Sequence, residues 1–127
     1  MKVNIWDKKE VKFEELQGQT LINVTVNESD DIITFTTTDN VYYMLHYQSC
    51  CEDVHISEIH GDLNDLIGSV IVLAEEVLSK TPITKFTYSS ETWSFYKLVT
   101  QNSFATIRWF GVSNGHYSET VESYKVI

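Results

Sequence analysis

Apolar residues recur at every second position over several stretches of this chain, and this period constrains the fold more than any other feature. In the segment 22–26 isoleucine and valine alternate with polar residues, and in 33–35 apolar residues alternate with threonine. A period of two places successive side chains on opposite faces of a β-strand. The sequence therefore predicts a β-hairpin, with the polar residues 28–31 as its turn.

Further strands are predicted along the rest of the chain. They cover 41–47, 54–59, 69–77, 93–100, 104–110 and 119–127. The segment 69–77 is compatible with a strand or a short helix, and we assign it as a strand that frays towards Ser79. Residues 79–91 are predicted to be the longest connection, and 101–103 to join two aromatic-rich strands into a second hairpin.

We assign helical structure to two short segments, 11–16 and 61–68. Neither is long enough for the crossover that a parallel sheet requires. We therefore expect a single domain over residues 1–127 that is mainly β or α+β. Its form is predicted to be a twisted antiparallel sheet, curled into a small sandwich or partial barrel, with one or two short helices.

The charge of the chain restricts its partners. Eighteen acidic residues against nine Lys and Arg give a net charge of -9. Such a surface repels nucleic acid and anionic lipid, whereas it attracts a basic protein. The longest apolar run, Val70–Ala74, is far shorter than the roughly 20 residues of a membrane helix, and the N-terminus lacks the pattern of a secretory signal. We expect a cytoplasmic protein that binds neither nucleic acid nor membrane.

Reactive side chains are densest between His46 and Asp62. The group includes Cys50, Cys51, Glu52, His55 and Asp62. Cysteine and histidine are zinc ligands, but adjacent cysteines on a strand diverge and the remaining ligand pairs are missing. We predict no metal and no cofactor, and we expect two reduced thiols because a disulfide between neighbours closes a strained ring.

Two catalytic interpretations of this segment are weaker than the structural ones. A nucleophilic cysteine needs a lowered thiol pKa, and the neighbouring carboxylates Glu52 and Asp53 act in the opposite direction. Asp62 and Asp65 follow Gly61, and their spacing favours side-chain capping of a tight turn over acid and base catalysis.

Arg108 is the only arginine, and it lies in an apolar strand beside Trp109. Two roles are open for Arg108. In a structural role it pairs with a carboxylate, and in a functional role it clamps an anionic ligand next to an aromatic ring. The sequence predicts a candidate ligand site formed by Arg108, Trp109, Asn114 and Tyr117.

Several runs together resemble a family of small uncharacterised proteins of bacteriophages and prophages. The resemblance covers roughly residues 12–124 and depends on the runs 50–54, 61–68, 75–76, 92–97, 107–111 and 113–119. It implies a phage origin and an all-β or α+β fold, and it implies no mechanism.

The leading functional hypothesis is a non-enzymatic binding module in the cytoplasm of an infected cell. Its expected partner is a host or phage protein, such as a host defence protein, or a small anionic, nucleotide-like ligand. The alternatives are a small nucleotide hydrolase that uses the segment Cys50–Asp65, and a virion or assembly component. A homo-oligomer is compatible with each hypothesis.

Overall fold

The computed structural model describes residues 8–48, 50–81, 90–114 and 118–127. Within these ranges it contains nine strands and two short 3₁₀ helices. The strands are β1 (Lys8–Val11), β2 (Leu21–Val26), β3 (Ile32–Thr37), β4 (Val41–Leu45), β5 (Asp53–His60), β6 (Leu73–Thr81), β7 (Ser90–Val99), β8 (Phe104–Ser113) and β9 (Glu122–Val126), and the 3₁₀ helices are Phe13–Leu16 and Leu63–Leu66.

The strands form two antiparallel sheets, which confirms the predicted mainly β fold. The first sheet has the order β1-β9-β4-β3-β2, and the second has the order β5-β8-β7-β6. The predicted N-terminal meander is β2-β3-β4, and the predicted aromatic hairpin is β7-β8. The closing strand β9 lies between β1 and β4, so residues near both ends of the chain share one sheet.

The structure differs from the prediction at β1 and at the start of β6. The short strand β1 was not predicted, because Lys8–Val11 has a single apolar residue and pairs only with the distant β9. The predicted strand 69–77 begins later, at Leu73, and extends to Thr81. Its first residues pair elsewhere: Val70 bridges Thr20, and the Ile71 amide donates to the Gln19 carbonyl at 2.8 Å.

The core lies between the two sheets. The first sheet contributes Leu21, Ile33, Phe35, Tyr42 and Met44, and the second contributes Ile56, Tyr96, Leu98, Ile107 and Trp109. Trp109 is fully buried, and its indole Nε1 donates to the Met44 sulfur at 3.3 Å. Phe13, from the first 3₁₀ helix, packs edge-on against Tyr96 with ring centroids 4.9 Å apart. The described part of the chain contains no helix with the length and apolarity needed to cross a bilayer.

Candidate functional site: an aromatic sheet face and a buried loop cluster

The second sheet carries aromatic side chains on the face that points away from the core. Along β7, Ser94, Tyr96 and Leu98 are buried, so the alternate residues Trp93 and Phe95 lie on the outer face. Register places Phe95 opposite Arg108 and Trp93 opposite Phe110 of β8. These four side chains are half-buried neighbours, and we call them the outer aromatic face.

Arg108 lies at the centre of the outer aromatic face. Its guanidinium carbon is 4.9 Å from the centroid of the Trp93 ring, which is a cation–π contact. Its Nη2 forms an ion pair with Glu58 Oε2 at 2.8 Å. The buried Nε of Arg108 has no hydrogen-bond partner within the described residues. The aromatic contact and the ion pair together hold the guanidinium in place between Trp93 and Glu58.

Histidines and carboxylates border the outer aromatic face along β5. His55 packs edge-on against Phe110, with ring centroids 6.2 Å apart, and its Nδ1 lies 3.1 Å from Asp53. His60 Nε2 lies 3.4 Å from Glu58, the carboxylate that also pairs with Arg108. Trp93 and Phe110 pack with their centroids 4.4 Å apart, so the aromatic surface continues from β7 to β8.

Two residues of the predicted ligand site, Trp109 and Asn114, do not lie beside Arg108. Trp109 is its neighbour in sequence, and strand alternation therefore places it on the opposite face, inside the core. Asn114 follows the end of β8, about 20 Å from Arg108 at the usual rise per residue. Tyr117 lies outside the described residues. Trp93 occupies the position beside the guanidinium that the sequence assigned to Trp109.

A buried ion pair organises the loop between β4 and β5. Glu52 has a fully buried side chain, and its Oε2 lies 2.8 Å from Nε2 of the almost fully buried His46. The other ring nitrogen of His46 lies 2.6 Å from the carbonyl oxygen of Thr120. Both ring nitrogens of His46 therefore lie within hydrogen-bond distance of an oxygen. The contact ties this loop to the segment before β9.

Cys50 and Cys51 lie in a bend of the same loop, and both are exposed. Their sulfur atoms are in contact with each other, which the predicted divergence of adjacent cysteine side chains did not allow. The prediction assumed an extended strand, on which adjacent side chains diverge, whereas the bend lets them converge. The Cys50 amide donates to Glu52 Oε1 at 2.9 Å, which connects the cysteine pair to the buried carboxylate.

The remaining residues of the predicted polar cluster lie apart from this loop. His55 is on the outer face of β5, and Asp62 lies beyond the far end of the strand, roughly 20 Å from His55 at the usual rise. Asp62 caps the 3₁₀ helix Leu63–Leu66, where its Oδ1 accepts from the Asn64 amide at 2.9 Å. The predicted turn-capping role is confirmed for Asp62. Among the described residues, no group of three or more His, Cys, Asp and Glu side chains is placed to hold a metal ion.

No pattern in the sequence predicted a second buried carboxylate at this end of the sandwich. Glu119 is buried and accepts from the hydroxyls of Ser90 at 3.4 Å, Thr92 at 2.7 Å and Ser113. A Cβ at Gly111 would lie 2.8 Å from the Glu119 Cβ, so only glycine lets the segment approach β8 this closely. A glycine inside an aromatic strand is the sequence signal of this approach.

Burial also perturbs titratable groups on the first sheet. Desolvation raises the pKa of the Glu122 carboxyl, while His46 and the Tyr47 amide partly oppose the shift. Burial raises the pKa of Tyr124, with Glu122 as a further cause. The Lys8 ammonium lies 5.0 Å from the ring centroids of both Tyr47 and Tyr124. These contacts help to hold β1 at the edge of the first sheet.

Fold and site together define a small two-sheet antiparallel β-protein with an exposed aromatic face and a buried ionic loop. Neither a curated protein nor a solved structure matches the chain. The model of one family, described as a domain of unknown function (DUF7448), matches residues 10–123. The chain belongs to this family.

Proposed function

We propose that this protein is a non-enzymatic binding module whose outer aromatic face contacts a basic protein partner. The observation that carries the proposal is the contiguous group of Trp93, Phe95, Arg108 and Phe110 on the face of the second sheet that points away from the core. Tryptophan, aromatic residues and arginine are enriched in the central, energetically dominant part of protein interfaces.

The geometry favours a protein partner over a small anion. Arg108 already has a carboxylate, Glu58, at 2.8 Å, and a small anionic ligand would have to displace it. A protein surface gains instead from burying the half-exposed rings of Trp93, Phe95 and Phe110, and the Glu58 ion pair can remain intact beneath it. The pre-formed contacts of Arg108 lower the entropy lost when the partner binds.

Charge around the outer aromatic face indicates a basic partner. Asp53, Glu58, Glu75 and Glu91 share this side of the sheet with Lys97 and Arg108. Carboxylates therefore outnumber Lys and Arg side chains around the outer aromatic face, and the whole chain has a net charge of -9. A partner with an apolar centre and a lysine- and arginine-rich border is complementary to such a surface and associates faster at low salt.

The resemblance to phage and prophage proteins supports a biological setting for this binding. Small acidic phage proteins commonly act on proteins of the infected cell, and we place the partner among host proteins on that ground. We propose that this non-enzymatic module acts by binding and inhibiting a host defence protein.

Capture from bacterial extract tests the proposal when it is done with matched variants. Immobilised wild type, Trp93→Ala and Arg108→Ala are compared with Ile22→Ala, which truncates an apolar residue that is 51% exposed on the first sheet. We expect basic proteins that are retained by wild type and Ile22→Ala and are reduced about tenfold or more in the two face variants. Retention should weaken between low and high salt.

Equal retention by Trp93→Ala and wild type would overturn the proposal, as would retention that is insensitive to salt. Release of the retained protein by millimolar nucleotide would also count against it, because it would identify a small anion as the occupant of Arg108. Circular dichroism of each variant establishes that the fold is retained.

A further inference from the structure

We propose that a groove between the edge strands β2 and β5 binds an extended peptide segment of a partner protein, which pairs with β2 as an additional strand. Each of these strands lies at one end of its sheet, and a cavity of about 400 Å³ lies between them. We call this cavity the β2–β5 groove. It is a different surface from the outer aromatic face, and the two proposals stand on separate observations.

The outer edge of β2 presents backbone groups that pair with no other strand. The Asn27 amide donates to the Ile32 carbonyl at 3.1 Å, and this bond fixes the alternation of the ladder between β2 and β3. Thr25 therefore bonds to β3, whereas the N–H and C=O groups of Val24 and Val26 point away from it. No hydrogen bond joins these groups to another residue in the described part of the chain. An unpaired edge of this kind is where an extended peptide adds as a strand.

The chain itself covers the neighbouring part of this edge with extended backbone. Val70 bridges Thr20 in antiparallel orientation, and the Gly68 amide donates to the Leu21 carbonyl at 2.7 Å. This pairing ends at Leu21 and leaves the outer edge of residues 23–26 uncovered. A second stretch of extended backbone is therefore the occupant that continues the pattern already present on β2.

The floor of the β2–β5 groove is apolar. Val24 and Leu63 belong to the buried core, and Val26 and Ile59 are partly buried against it. A strand that pairs with β2 directs every second side chain towards this floor. An apolar side chain at those positions leaves water, which favours binding. The peptide is therefore expected to have apolar residues at alternate positions.

Carboxylates flank the groove at both ends. Asp62 lines the groove just beyond β5, and the β2–β3 turn carries Glu28, Asp30 and Asp31 at the other end. The Ile56 amide donates to the Asp30 carbonyl at 2.8 Å, which holds this turn beside β5. The described residues that line the groove or form the turn include no Lys or Arg. Lysine or arginine residues near the ends of the peptide are complementary to these carboxylates.

Selection from a displayed library of random short peptides tests the proposal, with the immobilised full chain as the target. We expect the enriched peptides to have apolar residues at alternate positions and Lys or Arg near their ends. A synthetic copy of each enriched peptide is then the probe, and isothermal titration calorimetry measures its affinity. A library that yields no enriched peptide would overturn the proposal.

Val26→Pro and Val26→Ala are a matched pair of variants. Both remove the valine side chain, but only proline removes the outward N–H, and an edge strand tolerates proline where the N–H faces solvent. We expect Val26→Pro to bind the peptide about tenfold more weakly than Val26→Ala, because a hydrogen bond of the added strand is lost. Equal affinity of the two variants for every enriched peptide would overturn the proposal.

Asp62→Asn and Asp65→Asn test the charge of the groove. Both residues are exposed, one as the cap and one within the 3₁₀ helix Leu63–Leu66, but only Asp62 lines the groove. Asparagine keeps the oxygen that caps this helix. At low salt, Asp62→Asn should weaken binding about threefold, and Asp65→Asn should leave it within about 1.5-fold of wild type. Equal weakening by the two variants would contradict a basic peptide in this groove and overturn the proposal.

Hydrogen exchange on the wild type covers the case in which Val26→Pro fails to fold. In the free protein, the amides of Val24 and Val26 should exchange at least about tenfold faster than the Thr25 amide, which bonds to β3. The bound peptide should slow the exchange of Val24 and Val26, and unchanged exchange at both would overturn the proposal. Trp93→Ala should bind the peptide as tightly as wild type does, so this proposal and the outer aromatic face can fail independently.

Discussion

At the scale of single residues, Glu122 gives the molecule a defined pH dependence. Burial raises the pKa of its carboxyl group above the ordinary value of 4.5. A carboxyl whose pKa is higher in the folded than in the unfolded chain favours folding when it is protonated. This stabilisation is complete below the unfolded value and is lost as the pH rises through the folded value. At neutral pH, the ionised Glu122 therefore opposes folding.

We expect Glu122→Gln to raise the melting temperature by about 2–5 °C at pH 7. The amide carries no charge to desolvate, and its oxygen can still accept from the Tyr47 amide, which lies 3.4 Å from Oε2. The difference should shrink towards zero near pH 4, where the wild-type carboxyl is protonated. Thermal unfolding followed by circular dichroism measures both values.

Glu28→Gln, which changes an exposed residue in the β2–β3 turn, serves as the control. We expect it to change the free energy of unfolding by less than about 0.5 kcal/mol. A lower melting temperature for Glu122→Gln than for wild type at pH 7 would contradict the raised pKa of Glu122. An equal difference in melting temperature at pH 7 and near pH 4 would contradict it as well.

The sequence predicts the face of a strand on which a side chain lies better than it predicts which residues that side chain contacts. The alternation along β8 already implies that Arg108 and Trp109 face opposite sides, and the hairpin register brings Phe95 opposite Arg108. The contact of His46 with Thr120 could not be predicted, because the two residues lie 74 positions apart in the chain. Local periodicity contains no information about such a contact.

At the scale of elements, local patterns predicted the hairpins and missed the pairings between distant strands. The meander β2-β3-β4 and the hairpin β7-β8 join neighbouring segments, so periodicity and turn residues were sufficient. Strand β1 has little apolar periodicity and is held by β9, more than 110 residues later. Tertiary pairing of this kind overrides local propensity.

Strand β6 is an edge strand, and side chains from the first 3₁₀ helix cover part of that edge. The amide of Glu76 donates to Glu14 Oε2 at 2.9 Å, and the amide of Ala74 donates to Gln17 Oε1 at 3.3 Å. Both amides point away from β7, in the direction from which another strand would pair. The helix therefore protects an edge that also carries the exposed residues Val77 and Leu78.

We expect the double variant Glu14→Ala, Gln17→Ala to expose this edge. The free energy of unfolding should fall by about 1–2 kcal/mol, because two amide hydrogen bonds are lost. Self-association should increase, because the uncovered amides offer a template for strand pairing. Urea unfolding and light scattering coupled to size-exclusion chromatography measure the two effects.

Lys12→Ala, at an exposed position just before the same 3₁₀ helix, controls for a general change in this region. The protective role of Glu14 and Gln17 would be contradicted if the double variant stayed as monodisperse and as stable as Lys12→Ala.

At the scale of the whole molecule, one core connects the two sheets, and Trp109 lies at its centre. The Trp109 side chain belongs to β8, and its indole donates to Met44 of β4 in the opposite sheet. Because neither sheet can bury its inner face without the other, we expect both to unfold in a single cooperative transition. Far-UV circular dichroism and tryptophan fluorescence should then give the same urea midpoint.

Trp109→Phe and Trp93→Phe make a matched pair that separates the core from the outer aromatic face. The same chemical change should lower the free energy of unfolding by about 2–4 kcal/mol at Trp109, where it leaves a cavity and removes the bond to Met44. At the half-exposed Trp93 the substitution should lower the free energy of unfolding by less than about 1 kcal/mol, because water fills the vacated space. Equal losses at the two positions, or separate transitions by the two probes, would show that the sheets do not share one core. The contrast also bears on the binding face: we expect Trp93 to contribute little to stability, so that its substitution tests binding without unfolding the protein.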